Sequence, residues 1–265
     1  MFFGFDDSEV SIEDRPHTIL AGYGVNDESG TTTALDKIKQ EFGLLPTDEV
    51  KWNGMNLDRS SREALSRKLL TLLHDGVPLV TIVEGRNQQN AAGHAAQQVA
   101  DYLGCHSYQV ERSPCLSLMF DEGIISNPKA YGEFLKASPS VELSSAGFGR
   151  VDSKRYSLVQ LADVLAGFNR LLTESCLGRR SMTDVEIREA GDSINVPLDH
   201  YISVSQRWSM WGEVPPPPDP DNVIFDGRWP FKHVGGYGLR IISSVSPETV
   251  AQIYSSRIVY MGCMH

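Results

Sequence analysis

The sequence has no apolar run near the roughly 20 residues that a bilayer span needs. Its start, MFFGF, carries neither a basic flank nor a cleavage-site pattern. A cytoplasmic protein with no membrane association is therefore expected. Cysteine is sparse: Cys105, Cys115, Cys176 and Cys263 are scattered, with no CxxC pair of the kind that builds a structural zinc or redox site. Reduced, mostly buried thiols are expected in such a compartment. The histidines show no HExxH or other paired spacing, which sets a zinc hydrolase aside, and His94, in an alanine-rich stretch, fits a surface or partly buried place. No glycine-rich loop leads from a strand into a helix; Gly235-Gly236-Tyr237-Gly238 precedes a strand-like run and reads as a turn. No Ser/His/Asp arrangement emerges from spacing, and there is no internal repeat. Basic residues are outnumbered, 24 Lys and Arg against 34 Asp and Glu, giving a formal net charge of -10. That charge opposes passive adsorption to nucleic acid, whose phosphates are met by Lys and Arg. An enzyme on nucleic acid stays open, because carboxylates neutralised by divalent cations count as negative charge without leaving the working site negative.

What is present suits an ordinary globular chain: 265 residues, 41% hydrophobic and 22% charged. The length allows one large domain or a domain with an appendage, and the pattern favours the second. Phe2 to Phe5 and His17 to Val25 read as a β-hairpin around a charged turn. Thr33 to Phe42 has helical spacing, with Ser and Thr as caps and Gly43 as a stop. Asp58 to His74 gives a longer helix with Leu65, Leu69, Leu72 and Leu73 inward, followed by a buried strand over Val77 to Val83. Asn90 to Leu103 reads as a helix, Cys115 to Phe120 as a strand, Pro128 to Leu135 as a helix and Val141 to Val151 as a strand or loop. Leu158 to Leu172 is a strongly apolar helix. The order implies an α/β fold, a mixed sheet flanked by helices over residues 1–176. Residues 177–265 read as a C-terminal extension, a cap or a homo-oligomer contact. They carry a proline-rich linker at 215–220, Trp211 and Trp229, and strand-like runs at Gly238 to Val245 and Arg257 to Met261.

Three acidic groups sit where apolar elements end or are interrupted: Asp6-Asp7 after the first strand, Asp121-Glu122 after a later one, and Asp163 inside the apolar helix. The helical neighbours of Asp163 are Val159, Ala162, Ala166 and Gly167, so its carboxylate stands on a small, apolar face. It is costly there unless paired or metal-bound. Singly, these acids also suit a hairpin turn, a loop opening and an ion pair with a nearby Arg. Together they supply what a hard cation needs, a few well-placed oxygen ligands.

Several motifs carry a resemblance to a known family. They are Phe5-Asp6-Asp7-Ser8-Glu9, Val50-Lys51-Trp52, Phe120-Asp121-Glu122, and Val151-Asp152-Ser153-Lys154 leading into Leu158-Val159-Gln160-Leu161-Ala162-Asp163-Val164-Leu165-Ala166-Gly167. Over roughly residues 1 to 175 the chain resembles the bacterial and archaeal family called "domain of unknown function 3800", whose fold is ribonuclease H-like. That family's first motif is Asp-Glu-Ser-Gly-like; here Asp7 and Glu9 stand for its Glu and Gly. The literal string Asp27-Glu28-Ser29-Gly30 follows the second strand and precedes a helix, so it reads as a turn and helix cap. The resemblance implies that Asp6, Asp121 and Asp163 surround one or two Mg²⁺ or Mn²⁺ ions, with Asp7, Glu122 and Asp152 as accessory acids. Lys51 is either a phosphate contact or a surface lysine beside an anchoring Trp52. Ser153 and Gln160 orient ligands or cap the helix, with capping favoured for Ser153.

The implied chemistry is metal-dependent hydrolysis of phosphodiesters, a nuclease acting on RNA or DNA, or the same site acting on small nucleotides. The alternative is a non-catalytic ribonuclease H-like interaction module of a defence, toxin or mobile-element system, with the C-terminal segment as its interface.

Overall fold

The computed structural model describes residues 1–52, 57–85, 115–124, 145–179 and 239–255, together with residues 93, 95, 96 and 99. The expected helix at Pro128 to Leu135, the proline-rich linker, Trp211, Trp229, His94, the glycines at 235–238 and the run at Arg257 to Met261 lie outside the described residues.

Strand β1 (Phe2–Ile12) and strand β2 (Arg15–Val25) form a long antiparallel hairpin in register from Phe2 opposite Val25 to Ile12 opposite Arg15. The two turn residues, Glu13 and Asp14, have φ of 48° and 58°. That left-handed geometry matches the twist of a tight hairpin although neither residue is glycine. The first strand is therefore far longer than its apolar run. Asp6 and Asp7 lie within it, not after it, because pairing with β2 satisfies their backbone whatever their side chains.

Helix α1 (Glu28–Glu41) starts earlier than its apolar spacing implies: Asp27 caps it by accepting from Gly30 N at 2.9 Å. The cap role expected of the Asp27 to Gly30 string holds, and Thr31 and Thr33 lie inside the helix. Helix α2 (Arg59–His74) is capped by Asp58 and buries Leu65, Leu69, Leu72 and Leu73. Strand β3 (Val77–Glu84) pairs antiparallel with β2. Strand β4 (Cys115–Asp121) runs parallel to β1, and strand β5 (Ser145–Val151) parallel to β4. A 3-10 turn, Ser153–Arg155, leads into helix α3 (Ser157–Cys176).

Strand β6 (Leu239–Ile242) adds to the far edge of the sheet, parallel to β3, and helix α4 (Pro247–Ser255) follows it. The described part of the C-terminal segment thus continues the same sheet. The order is β5-β4-β1-β2-β3-β6. Alternation along the strands separates two cores. Ile19, Ala21 and Tyr23 face α1, α2 and α3, whereas Phe3, Phe5, Leu118 and Phe120 face the opposite way, with Ala95, Ala96 and Val99. The expected mixed sheet flanked by helices is what the chain forms. No helix among the described residues is long and apolar enough to cross a membrane.

A polar network joins the hairpin tip to the C-terminal segment. Glu84 accepts from Ser244 N at 2.7 Å and from Ser244 Oγ. Glu13 accepts from Ser246 Oγ at 2.7 Å and Thr249 Oγ1 at 2.6 Å. His17, buried in β2, places Nε2 2.7 Å from Ser243 Oγ and Nδ1 3.0 Å from the Arg15 carbonyl.

Candidate functional site

The floor of the site is set by one missing side chain. A Cβ on Gly4 would fall 2.4 Å from the carbonyl carbon of Leu158 and 2.5 Å from Val159 N, so the backbone of α3 rests directly on β1. From that contact the helix runs alongside the strand, and beyond its end Arg179 donates to the Ser11 carbonyl at 2.8 Å. Five helical residues from Leu158 rise about 7.5 Å. Two strand residues from Gly4 advance about 6.6 Å. Asp163 therefore arrives beside Asp6, which shares the face of Gly4.

Strand β4 brings the third acid. Phe5 and Phe120 are the last parallel partners of β1 and β4, and Asp6 and Asp121 are the next residue on each strand. Since Leu116, Leu118 and Phe120 point into the opposite core, Asp121 shares the α3 face by alternation.

The electrostatics record this proximity. Burial pushes Asp6 up to about 8, helped by the charges of Asp163 and Asp121 and opposed by its bond from Asp7 N at 2.7 Å. Asp163 rises to about 6: burial is the largest cause, Lys51 and Arg170 oppose it, and Glu49 and Asp121 add to it. Asp163 Oδ2 is buried and has no hydrogen-bond partner. An unsatisfied buried acceptor is expensive. The expected carboxylate cost on the apolar helix face is real.

The segment through residues 49–52 closes the site along α3. Val50 N donates to Gln160 Oε1 at 3.3 Å, and Gln160 Nε2 donates to the Lys154 carbonyl at 3.1 Å. Trp52 packs on Phe168 at 5.0 Å between ring centroids and covers Gly167. Lys51 Nζ lies 3.3 Å from Glu49 Oε1, and Glu49 also accepts from Ser153 Oγ at 2.7 Å. Partial burial pulls Lys51 down, but Glu49, Asp163 and Asp6 outweigh it, so its ammonium is held above the usual lysine range.

Glu49 is the residue that sequence reasoning did not single out. Its only signal was its place two residues before Lys51, and its partner Ser153 lies more than a hundred residues away. Gln160 spans two segments as a brace.

The remaining candidates are placed elsewhere. Asp152 caps the 3-10 turn by accepting from Lys154 N at 3.0 Å and faces Arg155 at 3.9 Å. Ser153, favoured as a cap, instead donates to Glu49. Asp7 follows Asp6 on the other face of β1, and its charge is the smallest contribution to the shift of Asp6. Glu122 is exposed in the turn after β4 and offers its carbonyl to Arg150 Nη2 at 2.6 Å. Glu9 is exposed opposite Thr18.

Among the described residues, no group of three or more His, Cys, Asp or Glu side chains is gathered so as to hold a metal ion. The donor set nevertheless suits a hard cation: oxygen ligands only, mutually repelling, with one buried oxygen left without a donor. No protein-family model matches the chain, and no curated protein matches it.

Proposed function

We propose that the chain is a metal-dependent phosphodiester hydrolase, a nuclease of ribonuclease H-like fold, as its resemblance to the "domain of unknown function 3800" family implies. The observation that carries this reading is the buried, unpartnered Oδ2 of Asp163 in the field of Asp6 and Asp121. Neutralising such a cluster is what Mg²⁺ or Mn²⁺ does. The sheet supports the fold: an antiparallel β3-β2-β1 meander is continued by β4 and β5, both parallel in direction to β1.

Asp6, Asp121 and Asp163 would hold the cation, with Glu49 beside them. Bound there, it supplies Lewis acidity toward a phosphoryl oxygen and an acidified water. The chain's own residues do the rest. Lys51, steered by Glu49, offers an ammonium to the substrate phosphate. The bonds from Val50 to Gln160 and from Ser153 to Glu49 keep that ammonium over the acids. Burial of Asp6 and Asp163 raises their affinity for a positive charge of either kind, proton or metal.

The test is hydrolysis of labelled RNA, DNA and nucleotides with Mg²⁺ or Mn²⁺. Cleavage that requires the cation and falls at least about 100-fold in Asp163→Asn supports the proposal. Cleavage that persists in that variant, or no cleavage of any of the three, overturns it.

A further inference from the structure

A carboxylate site of this kind can hold one divalent ion or two, and a pair of ions about 3.5–4 Å apart needs carboxylates on either side of a shared ligand. Asp6, Asp121 and Asp163 supply one position. The further carboxylate that acts on Asp163 is Glu49. A second position would therefore lie between Asp163 and Glu49, and the chain brings a cation of its own there.

The backbone sets Lys51 level with Asp163. Gln160, Asp163 and Gly167 stand at i, i+3 and i+7 along one stripe of α3. Val50 N donates to Gln160 Oε1 at 3.3 Å, and Trp52 packs on Gly167. Lys51 lies between these two anchors, as Asp163 lies between theirs. Its Nζ is 3.3 Å from Glu49 Oε1, and the Glu49 side chain, 15% exposed, is fixed in turn by accepting from Ser153 Oγ at 2.7 Å. The charges agree with the geometry. After burial, the influences on Asp163 are led by Lys51 and Glu49, ahead of Asp121. Partial burial pulls Lys51 down, yet Glu49, Asp163 and Asp6 together outweigh it.

We infer that the Lys51 ammonium takes the place of a second metal ion, so that the site binds one divalent cation per chain and Lys51 Nζ supplies the other positive charge. The inference rests on the proposed hydrolase reading and deepens it by fixing the metal count. A lysine suits this part because its ammonium is a compact point charge with three donors for phosphate oxygens. It supplies no Lewis acidity, so activation of water stays with the single ion. Glu49 is a positioning residue, which holds Nζ beside Asp163.

The experiment counts bound Mn²⁺ in the full chain at pH 7 from the electron paramagnetic resonance signal of the free ion. Compared are wild type, Lys51→Met, and the double variant Glu49→Gln/Lys51→Met. The Lys51 side chain is half exposed, so its replacement leaves the core intact. Wild type should bind one Mn²⁺ per chain. Lys51→Met, which keeps the length of the side chain and removes its charge, should bind two. The double variant should return to one, because the second ion has lost its carboxylate.

Two ions in wild type, or one in Lys51→Met, overturn the inference. So does a second ion that persists in the double variant, since it is then bound elsewhere. The two claims fail differently. One ion in both wild type and Lys51→Met overturns the lysine's part and leaves the hydrolase reading standing. A wild type that binds no Mn²⁺ overturns the hydrolase reading and this inference with it.

Discussion

The Cβ that alanine would add at Gly167 falls 2.7 Å from the Cβ of Trp52. Both atoms are held close to backbone, so the contact cannot be relieved by swinging a flexible tip. Gly167→Ala should push the 49–52 segment off α3 and cost about 1–3 kcal/mol in stability, the usual range for overpacking. Because Glu49 and Lys51 ride on that segment, activity should fall further than stability alone explains. Chemical denaturation beside assays at saturating substrate checks this; full activity with unchanged stability would contradict it.

Gly4 presents the more severe case. A methyl there meets the backbone of Leu158 and Val159, so Gly4→Ala must lift the start of α3 from β1 and draw Asp163 away from Asp6. A loss of about 3 kcal/mol or more is expected. The measurement is the denaturation midpoint relative to wild type, and a shift equal to that of an exposed control would refute the close-contact account.

Asp6 holds its proton more tightly in the folded chain, at about 8 against an ordinary 3.8. Between those values the folded state carries more protons than the unfolded, so stability in metal-free buffer falls as pH rises through the window. Asp6→Asn removes this term. The variant should be more stable than wild type by about 2 kcal/mol at pH 8, with the gap closing toward pH 4. Thermal unfolding in EDTA at several pH values measures it, and a gap that widens toward acid would reverse the sign.

The C-terminal segment should respond in the opposite sense. Hydrogen bonds from Ser244 hold Glu84 down to about 2, and those from Thr249 and Ser246 hold Glu13 below the usual carboxylate range. Their contribution is complete above the ordinary glutamate value of 4.5 and is lost as pH falls toward the folded values. Amide exchange at Leu239–Ile242 should therefore lose protection on acidification in wild type. Glu84→Gln should show that loss already at pH 7; equal protection in the two proteins would show that the carboxylate does not hold β6.

Much of this was legible in the sequence, for identifiable reasons. Asp163 stood out because a carboxylate on a face of Ala and Gly is anomalous in helical periodicity, and the periodicity of α3 is strong. The inward leucines of α2 follow from helical spacing alone, whereas Asp58, read as the first residue of that helix, caps it instead. Asp6 was found but misplaced at a strand end, because apolar patterning stops at Phe5 whereas hydrogen bonding to β2 continues to Ile12. Glu49 and the bridge from Ser153 were not legible, since their meaning lies in a contact between distant segments. The parallel pairing of β6 with β3 is non-local in the same way: four residues show a strand, not the neighbour it joins.

The most direct test of the carboxylate site is isothermal titration of Mg²⁺ and Mn²⁺ into wild type and Asp163→Asn at pH 7. The account predicts saturable binding in wild type, with proton release because Asp6 must ionise, and its loss in the variant. No saturable binding in wild type, or the same binding in both proteins, would contradict it.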